Sequence, residues 1–488
     1  MKRALAPLTL GLALSGCAVG PNFRPPPPPA ATDYVPQALP PVTASAPVPG
    51  GEAQSFRYGA AVDAKWWTGF GSPQLDALED EALRHNPDVA AAQAALRAAQ
   101  ASYKAARGQL FPSVEANLQP SRQRVSQVLQ PALSDNAYTY TLYTAGLNLA
   151  YTLDVFGGVR RTVEGARAQA EQQRFQTEAA YLTVTTNVAN TAITLAGLDA
   201  QIKALEALSA DTARFLQITQ AQQRLGAASG ADVAAAQLAN AQAEAALPPL
   251  RRQRAQARDF LAVLVGKTPA EQFVAPSLDA LRLPAELPVS LPSTLVAQRP
   301  DIRAAQEALH YASSQVGVAI AARLPNFTIN GTAGGSSTAL GTLFSAGNIF
   351  WSIAGSILQP IFEGGALLNR QRAAYATLDQ AKAQYRSTVL SAMQNVADTL
   401  QAIVHDAEAL RTASVARAAA ERSYAITREQ ARLGQLSGVA TLSFQEALLT
   451  ARSNFVQAQT QRLSDSVALY QALGGGWQNR ATTVTATP

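Results

Sequence analysis

A single cysteine in 488 residues excludes an internal disulfide and any site built from several thiolates. Histidine is almost as scarce: His85, His310 and His405 are the only three, and none stands at metal-ligand spacing from another, so no metal site is expected. Charged residues make up 15% of the chain, with 39 Lys and Arg against 34 Asp and Glu. That balance carries no basic footprint for nucleic acid. Beyond the first sixteen residues no apolar run approaches the roughly twenty needed for a spanning helix, so a membrane could be crossed only as a β-barrel. Proline is missing from residues 159 to 225, and the stretch 366 to 433 lacks both proline and glycine.

The one cysteine has a telling place. Met1-Lys2-Arg3 supplies a positive start, Ala4 to Leu14 an apolar run too short to span a bilayer, and Ser15 and Gly16 the small residues of a cleavage site. Residues 1–16 are therefore expected to be a signal peptide. Leu14-Ser15-Gly16-Cys17 resembles the bacterial lipobox, which implies that Cys17 becomes the acylated first residue of the mature chain. Ala18 follows rather than an aspartate, which places the lipid in the outer membrane. Loss of Lys2 and Arg3 leaves a net charge of about +3. Residues 17–55, opened by Pro25 to Pro29, read as an extended, lipidated Pro-rich tether that cannot form a core.

The rest of the chain repeats itself. "HNPDVAAAQAAL" (85–96) returns as "QRPDIRAAQEAL" (298–309), "GQLFPSVEANL" (108–118) as "ARLPNFTINGT" (322–332), "DVFGG" (154–158) as "IFEGG" (361–365) and "RLGAASG" (224–230) as "RLGQLSG" (432–438). Four ordered matches at nearly constant spacing indicate a duplicated unit of about 210 residues, with repeats over 56–274 and 275–476 and a C-terminal tail over 477–488. The proline-free stretches predict helices of up to about 100 Å at 1.5 Å per residue, with alanines at the seams and Gln, Arg, Thr and Asn on wet faces. Ahead of each helix run two alternating segments. Val114, Ala116 and Leu118 alternate with Glu115, Asn117 and Gln119, and Leu147, Leu149, Tyr151 and Leu153 with Asn148, Ala150 and Thr152. The second repeat has Phe327 and Ile329 against Thr328 and Asn330, then Ile349, Trp351, Ile353 and Ile357 against Ser352, Ala354 and Ser356. Strands apolar on one face and polar on the other, with aromatic neighbours, suit a barrel with a wet lumen. A change of parity near Gly146 suggests a bulge. Four strands are too few to close a membrane barrel, whose smallest examples have about eight, so strands must be pooled between copies.

These residues, with "WWTGFGSPQLDALEDEAL" (66–83) and "YQALGGGW" (470–477), resemble the outer-membrane factors of tripartite efflux pumps, the TolC-like family, in its NodT-type lipoprotein branch. The resemblance covers essentially the whole mature chain. It implies a mainly α fold with a transmembrane β-barrel section: a homotrimer whose twelve strands, four per chain, form one barrel continuous with a long periplasmic α-helical barrel. It also implies outer-membrane lipid around the barrel and two partners, a periplasmic adaptor and an inner-membrane RND-type pump. The long helices would turn at a periplasmic tip and return as shorter ones. The glycines of Arg224-Leu225-Gly226 and Arg432-Leu433-Gly434 suit those turns and mark them as adaptor-docking candidates.

Chemistry motifs are absent in a consistent way. "VGKT" (265–268) has Leu261 where a P-loop needs its first glycine, no nucleophile-base arrangement is visible, and no enzyme or cofactor is expected. The family often narrows its tip with aspartates after the second turn, but those positions hold Ala440 and Ser443. In the first repeat Asp232 stands at a comparable point, as a candidate constriction residue with Ser443 or as a helix-N-terminal acid complementing the macrodipole. The alternatives open at this stage are a channel for type I protein secretion and a lipid-anchored coiled-coil spacer with no pore.

Overall fold

The computed structural model describes residues 18–126 and 138–480. Cys17, the signal peptide and the tail beyond residue 480 lie outside the described residues. In chain order the elements are β1 (Ser55–Tyr58), α1 (Pro73–His85), α2 (Pro87–Gly108), β2 (Ser113–Arg124), β3 (Thr139–Leu153), α3 (Gly158–Arg224) and α4 (Gly230–Leu264). There follow β4 (Glu286–Val289), α5 (Pro292–Gln298), α6 (Pro300–Ala321), β5 (Asn326–Ser337), β6 (Ile349–Leu358), α7 (Ala366–Arg432) and α8 (Thr441–Ala472). Each long helix, α3 and α7, has 67 residues.

Two compact units divide the chain, and each draws on both sequence repeats. The first comprises Met1–Pro26, Ala95–Gln173 and Ala304–Arg386; the second comprises Pro27–Ala94, Arg174–Arg303 and Ser387–Pro488. In the first unit β2, β3, β5 and β6 form one antiparallel sheet in that order. Register is continuous along β3, with Asn117 opposite Gly146 and Gly146 opposite Gly334. No bulge interrupts it, contrary to the parity reading. The glycines instead allow close approach: a Cβ on Gly334 would lie 2.3 Å from the Ala145 carbonyl oxygen, and one on Gly146 2.8 Å from that of Ala333.

In the second unit β1 pairs parallel with β4. Trp66 stacks on Tyr470 at 5.2 Å between ring centroids and Phe175 meets Trp477 edge-on at 5.7 Å, so the WWTGF and GGGW segments build one aromatic core. Along α7 the buried positions Ala392, Val396, Leu400, Ile403, Ala407 and Leu410 keep the three-and-four spacing of a helix seam. The Pro-rich segment, irregular with several bends, is docked rather than hanging free. Thr43 and Gln54 exchange backbone and side-chain hydrogen bonds, and buried Arg462 donates to the carbonyl oxygens of Gly50 and Glu52 at 2.9 and 2.6 Å. A proline-rich chain makes few bonds of its own, so side chains from the helices satisfy its carbonyls.

The duplication extends to the caps. Asn86 donates to the Leu264 carbonyl at the end of α4, and Arg299 donates to the Ala472 carbonyl at the end of α8, each at 2.9 Å. The residue before each Pro-Asp pair thus closes the C-terminus of its own repeat's return helix. All four of α3, α4, α7 and α8 end on a left-handed glycine, Gly226, Gly266, Gly434 and Gly474, with φ from +75° to +90°. Gly266 belongs to the motif that failed as a P-loop. A Cβ there would come within 2.5 Å of the His85 carbonyl oxygen, so its role is a helix stop pressed against backbone.

Glu79 on α1 is fully buried, and neither carboxylate oxygen has a hydrogen-bond partner among the described residues. Burial foremost, then Asp76 and Asp80, push its carboxyl well above the ordinary range, so the folded protein keeps it neutral. The unfolded chain releases that proton near pH 4.3, so stability contributed by the neutral form declines as pH rises above that value. Glu79→Gln is therefore expected to melt higher than wild type at pH 8, with the gap closing towards pH 4. Thermal scans at several pH values read this directly, and an equal gap at both ends would refute it.

Candidate functional site: a two-faced sheet and two helix turns

Cross-strand partners share a face, so the register sorts the sheet. One face carries Val114, Leu149, Gly331 and Ile353 in one row, Ala116, Leu147, Ala333 and Trp351 in the next, and Tyr151, Ile329 and Gly355 below. Ile353, Trp351, Ile357, Val114 and Leu118 are all more than 60% exposed. The other face carries Glu115, Asn148, Thr332 and Ser352 in one row. Its side chains bond across strands: Asn148 donates to Asn117 at 3.3 Å, Thr332 and Ser352 hydroxyls lie 2.9 Å apart, and Thr144 and Ser336 hydroxyls 3.2 Å apart. One face therefore suits hydrocarbon and the other water. Both outer strands, β2 and β6, lack a second neighbour among the described residues, and open edges of this length demand pairing.

The turns lie in the second unit. Ala227 N–H donates to Gln222 and Gly226 N–H to Gln223, at 2.8 and 2.9 Å; Gln435 and Gly434 repeat the pattern onto Gln430 and Ala431, at 2.9 and 3.1 Å. This is the Schellman stop, and it requires the positive φ of Gly226 (+78°) and Gly434 (+75°). Nothing within 4 Å would meet a Cβ at either glycine, so the space around both turns is open. Leu225 is 84% exposed, an apolar side chain held out at a helix end.

Beyond the glycines the two turns differ. Ser229 caps α4 in a closed box: its hydroxyl accepts from Asp232 N–H at 3.1 Å, and the Asp232 carboxylate accepts from Ser229 N–H at 2.8 Å. The Ser229 hydroxyl also donates to that carboxylate at 2.7 Å, and this bond first, then the one from Ser229 N–H, holds the exposed Asp232 carboxyl below its ordinary value. The second turn has no such box. Ser443 donates its hydroxyl to the Ala440 carbonyl at 3.2 Å, and Gly438 presses on the Phe215 ring, leaving 2.9 Å for a Cβ. Arg432 grips Glu429 with three bonds of 2.6, 2.9 and 3.0 Å, whereas Arg224 has no ion-pair partner among the described residues.

Next to the second turn lies a cleft of about 700 Å³ between α3, α7 and α8, lined among others by Asp211, Glu421, Tyr424, Arg428, Arg432 and Arg452. Burial, and then the Asp211 carboxylate, push the Tyr424 hydroxyl up. Sequence reasoning missed this cleft. Its signal was available in Glu421, Tyr424, Arg428 and Arg432, polar residues recurring every three or four positions along α7.

A family model described as outer membrane efflux protein matches residues 78–267 and 291–475. Among curated proteins, the probable efflux pump outer membrane protein TtgC of Pseudomonas putida is 31% identical over 487 residues, 98% of this chain and 96% of that protein. The pyoverdine export outer membrane protein OpmQ of Pseudomonas putida is 30% identical over 455 residues, 90% and 94% of the two chains. Among solved structures, the outer-membrane channel OprN superposes with a TM-score of 0.82 at 26% identity, covering 95% of this chain and all of that one. The open state of the Neisseria gonorrhoeae MtrE outer membrane channel gives 0.80 at 26%, covering 95% and 99%.

Proposed function

Because the chain belongs to the outer membrane efflux protein family, we propose that it is the outer-membrane channel of a tripartite, RND-type efflux pump. Three copies pool their sheets into a twelve-stranded barrel, and α3, α4, α7 and α8 of each copy wall a periplasmic tunnel. Substrates pass through passively, delivered by an inner-membrane pump and a periplasmic adaptor. The observation that carries this reading is the sheet: four strands, two open edges, one apolar face and one hydrogen-bonded polar face. Closing edge to edge removes the unpaired N–H and C=O groups from hydrocarbon, where each would cost several kcal/mol, and three copies reach the number of strands a barrel needs. Purified in mild detergent, the protein is expected to run as a heat-labile trimer and to conduct ions in planar bilayers. A monomer without conductance would favour a spacer with no pore.

The same reading assigns Cys17 to lipidation. Radiolabelled palmitate is expected to enter the wild type and not Cys17→Ser, and equal labelling of the two would remove the assignment. The turns are the adaptor-docking surface. A passive channel opens only through contacts that a partner makes better in the open state, and the open space at Gly226 and Gly434, with exposed Leu225 and an Arg224 that has no ion-pair partner among the described residues, offers such contacts. Asp232 faces solvent as an ionised carboxylate, so besides capping α4 it can place negative charge in a tip constriction to which Ser443 contributes only a hydroxyl. In reconstituted channels Asp232→Asn would then reduce cation preference, while a purely capping role would leave it unchanged.

A further inference from the structure

Ala18 to Phe23 follow Cys17 directly, and they sit in a site built for them in the first unit. Arg161, in the first turn of α3, keeps a side chain only 4% exposed. Its Nε donates to the Val19 carbonyl at 3.0 Å, and its Nη2 faces the carbonyls of Ala18 and Gly20 at 3.4 and 3.3 Å and the Asn22 side-chain oxygen at 2.7 Å. Nη1 donates to Glu164 at 2.7 Å. Val19 N–H in turn donates to the Phe156 carbonyl at 3.0 Å. Phe23 lies flat on the His310 imidazole, 4.3 Å between centroids and 12° between planes. That ring is held on both sides, Nε2 3.0 Å from Glu164 and Nδ1 3.1 Å from Glu307.

The floor is shaped for backbone. A Cβ on Gly20 would lie 2.6 Å from Gly317 Cα, one on Gly317 would lie 2.8 Å from Arg161 Cγ and 2.9 Å from the Val19 oxygen, and one on Gly157 would lie 2.5 Å from Ala18 Cβ. Without residues 18–22, most of a buried guanidinium's donors would face nothing, a state that costs several kcal/mol. A rigid fork of five N–H groups is suited to gathering several carbonyls at once.

We propose that Arg161, Glu164 and His310 form a clamp that seizes the first residues of the processed chain. Ala18 and Val19 are thereby fixed beside Phe156 and Gly157, at the join of β3 and α3, so the lipidated residue is joined to a held segment and not to a free tether. The proposal rests on the reading of Cys17 as lipidated. Its consequence is positional: the acyl chains enter the membrane at one place on each copy, next to the helix-side end of the apolar band formed by Leu153, Phe327 and Ile357. Lipid and barrel then share a common depth, because only one peptide bond separates Cys17 from clamped Ala18.

The clamp also responds to protons. His310 faces Glu164 from α3, whose other oxygen accepts from Arg161, Glu307 from its own helix and Phe23 from the bound segment. Its hydrogen bond to Glu307 foremost raises its pKa, against burial. A raised histidine contributes stability that is whole below about pH 6.5 and is lost as pH rises through the folded value. The grip on Phe23 should loosen in that direction.

Hydrogen exchange of the intact lipidated trimer, corrected for intrinsic rates, tests this. In the wild type the Val19 amide, which donates to the Phe156 carbonyl, is expected to be protected at pH 6 and to exchange severalfold faster at pH 8. Arg161→Gln should exchange at least about tenfold faster at both pH values, with Arg161→Lys between, while residues 113–124 stay as protected as in the wild type. His310→Phe keeps a ring under Phe23 and should lose the pH dependence. Wild-type exchange of the Val19 amide in Arg161→Gln, or pH dependence surviving in His310→Phe, would overturn the clamp. Failure of the wild type to take up palmitate would instead remove the lipid while leaving the exchange result standing, so the two failures are separable.

Discussion

Ile353→Arg is expected to abolish insertion into the outer membrane, while Ser352→Arg, one residue away, inserts normally and lowers conductance. Ile353 is 71% exposed and lies in the row with Val114, Leu149 and Gly331, the face assigned to lipid. An arginine there costs about 2–4 kcal/mol near the bilayer midplane, and a trimer carries it three times. Ser352 points to the opposite face, where its hydroxyl meets Thr332, and a charge there stays in water. The measurements are the heat-labile trimer in outer-membrane fractions and single-channel conductance after reconstitution. Two variants that insert alike, or a loss of insertion confined to Ser352→Arg, would mean that the faces are assigned the wrong way round.

Gly434→Trp is expected to reduce adaptor cross-linking at least about tenfold, equivalent to roughly 1.4 kcal/mol of docking energy, and to lower efflux in parallel. Trimer yield should not change, since the 67 residues of α7 separate this turn from β6. Two effects could produce the loss: strain at φ +75°, about 1–2 kcal/mol for a residue with a side chain, or blockage of the open space around the turn. Gly434→Ala separates them, because it carries most of the strain and little of the bulk. If the alanine variant docks normally and the tryptophan variant does not, the turn acts as a docking surface; if both retain full cross-linking and efflux, it has no docking role. Gly226→Trp should behave alike and more severely, since its turn carries exposed Leu225 and an arginine with no ion-pair partner among the described residues.

Much of this was legible in the chain. The 3.6-residue period and the absence of proline set the long helices, because nothing in those stretches interrupts i to i−4 bonding. The alternation of Val114, Leu149 and Ile353 with polar neighbours set the faces of the sheet, because period 2 fixes side-chain direction. The turn glycines were readable because an αL stop leaves few other choices. The supposed bulge at Gly146 was misread for the opposite reason. A strand glycine serves equally for a kink or for a close approach, and only the partner strand, with Gly334 opposite, distinguishes the two.

By itself, then, the sequence determined the local periods, the duplication and the stops, all of which depend on residues close together in the chain. Tertiary structure decided what depends on distant residues meeting. Arg299 reaching Ala472, Arg161 gathering the carbonyls beside Cys17, and the α3, α7 and α8 cleft around Tyr424 join segments more than a hundred residues apart. No periodicity encodes such pairings, because a guanidinium on a helix surface has the same local pattern whether it faces water or a carbonyl from another segment. Its partner is selected by packing, which leaves that carbonyl without water and makes an unmet donor costly.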